Sequence, residues 1–242
     1  MITKSVVKDI QSLAGKKYRD QAGLFLAEGP KLVEELLRDC SHSIKAIYAL
    51  ESWIQQNKII NSSIQVTLVT PAELERLSQL TTPHEVLAVV SKFPVLPLQI
   101  GKGLTLVCCG IQDPGNFGTI LRTADWFGVR QLVCSPDTVD VYNPKVVQAT
   151  MGSIARLAVH YMDLDPWLNE QEVPIYAAIL NGQSVYEINR SQSGILLIGN
   201  EAKGVPASLL TKKVTGITIP KIGEAESLNA AVATGILLSW LS

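Results

Sequence analysis

The sequence predicts an α/β protein in two parts, a small α/β domain over residues 1–95 and a helix-covered parallel sheet over 104–242, with a linker at 96–103. Three observations predict it. Strand-like apolar runs alternate with helix-like segments along the whole chain. The runs after residue 103 are nearly continuous in apolar residues, as strands covered on both faces are. Between the two parts, Pro94, Pro97, Gly101 and Gly103 crowd the stretch "KFPVLPLQIGKG" and break regular structure.

In the first part, "GPKLVEELLRD" and "PAELERLSQL" carry helical periodicity, and "IKAIYAL", "IQVTLVT" and "EVLAVVS" read as short strands. The amino end is locally basic, with Lys4, Lys8, Lys16, Lys17 and Arg19 against Asp9 and Asp20. On charge alone these residues describe an ordinary solvated helix face. In the second part, strands are expected at "LTLVCCGI", "QLVCS", "VPIYAAIL", "GILLIGNE" and "GITIP", with "NFGTILRTADWFG" and "PKVVQATMGSIA" as helices between them. A closing helix follows from the spacing of Leu228, Ala231, Val232, Gly235, Ile236 and Leu238. A glycine inside a helix costs about 1 kcal/mol relative to alanine, so Gly235 suggests that bulk there would clash with a neighbouring element.

The chain has 242 residues, 47% hydrophobic and 18% charged, with a net charge of −1, and can bury a substantial core. Its start, "MITKSVVKDI", lacks the apolar region of a secretory signal, and no apolar run approaches the roughly 18 residues that suggest a membrane span. A cytoplasmic location is expected. Cys108 and Cys109, adjacent in a strand-like run, read as small buried hydrophobes. Cys40, Cys134, His42, His84 and His160 show no ligand spacing, so no metal site is expected.

Parallel sheets hold ligands at the carboxyl ends of their strands. Three loops there combine glycine with polar residues: "QDPGNFG", "GNEAKGVP" and "PKIGEAESLN". The first has Gly115 and Gly118 but not the three glycines of a dinucleotide-binding turn, which argues against a nucleotide-dependent oxidoreductase. The second has Gly199 and Gly204 at P-loop separation, yet Val205 and Pro206 stand where Lys and Ser/Thr must be. No G-x-S-x-G elbow is present, so a serine nucleophile is not expected. What remains is Asn116 and Arg122, then Gly199, Asn200 and Glu201, then Ser227 and Asn229. Asn116 is placed to cap the helix that carries Arg122, six residues on and on a different turn. Taken singly, each of these residues also reads as structural.

Together the three loops resemble the signature motifs of the SpoU (TrmH-like) branch of the SPOUT RNA methyltransferases: "DPGNFGTILRTADWFGV", "LLIGNEAKGVP" and "IPKIGEAESLNAAVATGILL". "KYRDQAGLFLAEGPKLVEELL" resembles the start of the substrate-binding domain, related to a ribosomal protein fold, that precedes the catalytic domain in many members. The resemblance implies a SPOUT fold with a deep trefoil knot at the carboxyl end and a homodimer whose site lies at the interface. It implies S-adenosylmethionine as cofactor, held largely by main-chain groups at Leu180, Gly199, Asn200, Ile219 and Leu228. The implied reaction is methyl transfer to a ribose 2′-hydroxyl of RNA. Ribosomal RNA is favoured; transfer RNA, or a non-catalytic knotted RNA-binding module, stands as the alternative. Arg122 is the implied catalytic residue, with Asn116, Glu201, Ser227 and Asn229 positioning it and shaping the pocket. Lys16, Lys17 and Arg19 are expected to contact RNA.

Overall fold

A computed structural model of the chain describes residues 2–57, 64–190 and 193–242. In chain order it begins with α1 (Lys4–Ser12), α2 (Lys16–Ala22), β1 (Leu24–Glu28), α3 (Pro30–Cys40), β2 (Ile44–Ala49), α4 (Glu51–Gln56), β3 (Gln65–Leu68), α5 (Pro71–Leu77) and β4 (Val86–Ser91). Next come β5 (Leu104–Cys109), α6 (Pro114–Trp126), β6 (Gln131–Cys134), α7 (Pro144–Thr150), β7 (Ala158–Tyr161) and α8 (Leu164–Asn169). The chain ends with β8 (Ile175–Ser184), β9 (Gly194–Gly199), β10 (Val214–Thr218) and α9 (Ala230–Leu241). Contacts divide it into two compact units, Met1–Pro94 with Asp140–Ala155, and Val95–Val139 with Arg156–Ser242. The segment Asp140–Ala155 therefore packs with the first unit, although the sequence pattern groups it with the second.

In the first unit the sheet order is β1-β4-β2-β3, with β2 and β3 parallel and the other pairs antiparallel. The amphipathic α1 and α5 place Val7, Ile10, Leu74 and Leu77 against Leu26, Leu87 and Val89 of the sheet. Thr70 and Glu73 form a reciprocal capping box that starts α5, and Glu73 also accepts from the backbone N–H of Ile2 at 2.9 Å. Tyr142, from the Asp140–Ala155 segment, packs its ring against Phe25 of β1, centroid to centroid 4.9 Å.

Arg19 overturns its expected role. It is 2% exposed, and its guanidinium donates to the carbonyls of Leu13 at 2.9 Å and Ala14 at 2.7 Å and to Asp140 at 2.6 Å. A guanidinium buried this deeply and tied to two turn carbonyls and a carboxylate does not reach a phosphate in solvent, so Arg19 is a structural clamp. Its neighbours Lys16 and Lys17 are exposed. Breaking a buried ion pair strands the surviving charge, so Arg19→Met is expected to cost about 3–5 kcal/mol in urea unfolding, and Arg19→Met with Asp140→Leu distinctly less.

In the second unit six strands run parallel in the order β10-β8-β9-β5-β6-β7. The interior β5 and β9 are buried almost throughout, which explains the continuous apolar runs. Within the expected linker 96–103, Leu98 and Ile100 pack on this unit's core, and Gln99 and Gln131 exchange hydrogen bonds at 2.9 and 3.0 Å.

The closing helix departs from its expected face. It starts at Ala230, buries Ala230, Ala231, Thr234, Leu237, Leu238 and Leu241, and leaves Leu228 and Val232 about half exposed. It packs on α6, but a Cβ at Gly235 would meet Thr123 Cγ2 at 3.7 Å, an ordinary contact. Gly235 is not required by a clash. The close approaches lie elsewhere. A Cβ at Gly182 would fall 2.6 Å from the backbone of Gly216, where the β8–β10 register jumps from Ala177↔Gly216 to Gln183↔Ile217.

Candidate active site

Helix α6 begins with Asp113, whose carboxylate accepts from the Asn116 backbone N–H at 2.7 Å. Asp113, not Asn116, is the cap, and Pro114 fits the first helical position. Asn116 lies three residues past the cap, inside the first turn, so its side-chain amide is free to bridge. Its Nδ2 donates to Glu201 Oε1 at 2.5 Å, and its Oδ1 accepts from Asn229 Nδ2 at 2.8 Å. Two residues, 85 and 113 positions from Asn116 in the chain, thus meet it side chain to side chain.

Each partner is fixed in turn. Asn229 caps α9 through Oδ1, which accepts from the N–H groups of Ala231 at 2.9 Å and Val232 at 3.3 Å. The Glu201 loop is a tight turn held by Asn200, which accepts from Ala202 and Lys203 through Oδ1 and donates through Nδ2 to the Gly110 carbonyl at 3.0 Å. Gly199 is indispensable beneath it, since a Cβ there would lie 2.1 Å from the Gly204 carbonyl carbon. With both ends of the Asn116 amide engaged, its orientation is determined.

Arg122 is exposed on the same helix, and among the described residues no hydrogen bond or ion pair engages its guanidinium. Gly115, Thr119, Arg122 and Trp126 follow one another at helical spacing along an exposed stripe, with Trp126 85% exposed. Ser227 is exposed in the loop before α9.

Leu180 and Ile219 come together through Thr218, whose hydroxyl contacts the carbonyls of Leu180 at 3.0 Å and Ile219 at 3.4 Å. Leu180 is 71% exposed and Leu228 45%. Sequence reasoning missed Thr218 and Asp113. A Thr closing the strand "GITIP" and an Asp immediately before Pro were the available signals. A separate hollow of about 480 Å³ lies at the ends of β5, β6 and β9, lined by Cys109, Ser135, Asp137 and Lys203 among others. Of the expected site residues it includes only Asn200.

Among the described residues no group of three or more His, Cys, Asp or Glu is placed to hold a metal, and no helix is long and apolar enough to cross a membrane. Cys108, Cys109 and Cys134 are buried and reduced. Burial pushes the Cys109 thiol up to about 12 and that of Cys134 well above its usual range. Both are protonated at neutral pH. Iodoacetamide at pH 8 is expected to leave these cysteines unmodified in the native protein and to alkylate them only in denaturant, as peptide mass mapping would record.

A parallel α/β domain that gathers polar side chains from three strand-end loops, with an unengaged arginine on one of the helices involved, has the form of an enzyme binding its ligands at the carboxyl edge of the sheet. The sequence pattern of the SpoU rRNA Methylase family matches residues 103–239, and that of the MRM3-like substrate binding domain matches residues 4–88. The chain belongs to the SpoU rRNA methylase family. It is 34% identical to the 23S rRNA (guanosine(2553)-2′-O)-methyltransferase RlmP of Bacillus subtilis, over 97% of this chain and 95% of that protein. A TrmH-family protein from Porphyromonas gingivalis superimposes with a TM-score of 0.87 at 36% identity, covering 100% of this chain and 98% of that one. An AdoMet-bound rRNA methyltransferase from Sinorhizobium meliloti does so at 0.84 and 30%, covering 100% and 95%.

Proposed function

We propose that this protein transfers the methyl group of S-adenosylmethionine to a ribose 2′-hydroxyl of ribosomal RNA. The observation that carries the reading is the Asn116 amide bridging Glu201 and Asn229, because it ties all three loops into one site. The cofactor supplies an electrophilic methyl on a sulfonium. A C–O bond forms as the C–S bond breaks, and the hydroxyl proton passes to water or a phosphate oxygen. Arg122, with a pKa above about 12, is a very poor base. It stabilises the developing alkoxide or grips the neighbouring phosphate. Asn116, Glu201 and Asn229 hold the loops that aim it, and Ser227 shapes the methyl-transfer pocket.

Main-chain groups of Leu180, Gly199, Asn200, Ile219 and Leu228 bind the cofactor, which suits a site with exposed apolar side chains and a glycine that tolerates no Cβ. In this reading the carboxyl-terminal segment is threaded as a trefoil knot. The protein acts in the cytoplasm as a homodimer, with Arg122 serving either its own protomer's cofactor or the partner's. The exposed Trp126 on α6 and Val232 on α9 are side chains a second copy would cover. Residues 1–95 hold RNA through Lys16 and Lys17, and 104–242 carry the chemistry.

The test is incubation with S-adenosylmethionine labelled in its methyl group and protein-free ribosomal RNA, followed by nuclease mapping of 2′-O-methylation. Label in ribose 2′-O-methyl groups is the expected result. Cofactor binding without transfer to ribosomal or transfer RNA would reduce the protein to a binding module.

A further inference from the structure

Composition overstates the charge that the amino end offers to a partner. The buried Arg19 is cancelled by Asp140, and Asp20 pairs with Lys92, whose hydrogen bond holds that carboxyl below its ordinary range. What α1 and α2 present to solvent is Lys4, Lys8, Lys16 and Lys17, with Asp9 and the Lys92-paired Asp20 as the acids among them. Between these lysines and the buried Arg19 stands Tyr18, 54% exposed.

The Tyr18 ring is held, not merely exposed. A Cβ on Gly15 would lie 3.2 Å from its Cδ2 and 3.8 Å from its Cε2, so the ring lies against a stretch of backbone that has no side chain. That backbone is fixed in turn. Gly15 donates to the Ser12 carbonyl at 3.0 Å and accepts from the N–H groups of Tyr18 and Arg19 at 3.1 Å each, while the Arg19 guanidinium grips the two carbonyls before it. A rigid, half-exposed aromatic face next to two free lysines matches the chemistry of an unpaired nucleotide, which offers a base plane and flanking phosphates. A duplex offers phosphates, 2′-hydroxyls and groove edges but no free base plane, because its bases are already stacked.

We propose that Tyr18 is a stacking platform for an unpaired RNA base, with Lys16 and Lys17 on the adjoining phosphates, so that this turn selects loops and single strands over duplex. The proposal rests on the reading that the protein acts on RNA. The probes are a fluorescein-labelled RNA hairpin with an unpaired loop and a blunt RNA duplex of equal length, titrated with the whole protein by anisotropy at several salt concentrations. Tyr18→Ala is expected to weaken hairpin binding by between about fivefold and about a hundredfold, to leave duplex binding and the salt dependence of affinity unchanged, and to be rescued by Tyr18→Phe. Lys16→Ala with Lys17→Ala should instead weaken both probes and flatten the salt dependence. An equal loss on both probes with Tyr18→Ala, or no loss on either, overturns the platform and leaves the RNA reading standing. Wild-type protein that binds neither RNA overturns both.

Discussion

Arg122→Ala is expected to lower methyl transfer to ribosomal RNA by about a hundredfold or more while changing S-adenosylmethionine affinity by less than about twofold. The separation follows from where the residue sits. Arg122 is exposed on α6 and has no partner among the described residues, so its removal strands no buried charge and leaves the fold alone. It also lies outside the main-chain groups assigned to the cofactor. Its work falls at the oxygen that becomes negative as the methyl arrives, and a lost charge there appears in kcat. Lysine keeps the charge but not the planar fork, so Arg122→Lys should recover only part of the rate. Isothermal titration with the cofactor and single-turnover methylation with saturating RNA separate the two quantities. Turnover near that of the wild type would remove Arg122 from the mechanism.

The parts of this molecule that were legible in the sequence are those where a side chain's own chemistry declares its place. Continuous apolar runs such as "LTLVCC" and "GILLIG" announce strands covered on both faces, and β5 and β9 are that. The polar loops could be picked out because glycine and short polar residues follow those strands. What the sequence could not convey was pairing at long range. Arg19 looks like a surface cation in "KKYRDQ", and only the fold brings Asp140 to it from 121 residues away. Gly235 looked like a contact point because it interrupts a helix, yet it has room for a methyl group. The intolerant glycines, Gly182 and Gly199, face backbone segments that no local pattern identifies. Asn116 was recognised as important for an incomplete reason. Standing three residues past the cap Asp113 makes it a bridge instead, and that difference assembles the site.

Gly199→Ala is expected to abolish measurable cofactor binding and to lower the stability of the second unit, and Gly223→Ala, in the third loop, is expected to do neither. The added methyl at residue 199 would sit 2.1 Å from the Gly204 carbonyl carbon, 2.2 Å from the Val205 nitrogen and 2.4 Å from the Gly204 oxygen. All three are backbone atoms, so no rotamer change relieves the overlap. The turn would have to open. That turn is closed by the Gly204 N–H on the Asn200 carbonyl at 2.7 Å and by Asn200 Oδ1 on two further N–H groups, so opening it breaks several hydrogen bonds together. Overpacking of a filled site costs about 1–3 kcal/mol, and more where the backbone must move. The displaced turn also carries Glu201, so the bridge from Asn116 should fail and methyl transfer with it. At Gly223 a Cβ meets nothing within 4 Å, and the change should stay within about 0.5 kcal/mol. Thermal melts with and without S-adenosylmethionine read both effects: wild type and Gly223→Ala should share one melting temperature and one cofactor-induced rise, while Gly199→Ala melts lower and shows no rise. A cofactor-induced rise in Gly199→Ala equal to that of the wild type would place the cofactor away from this turn.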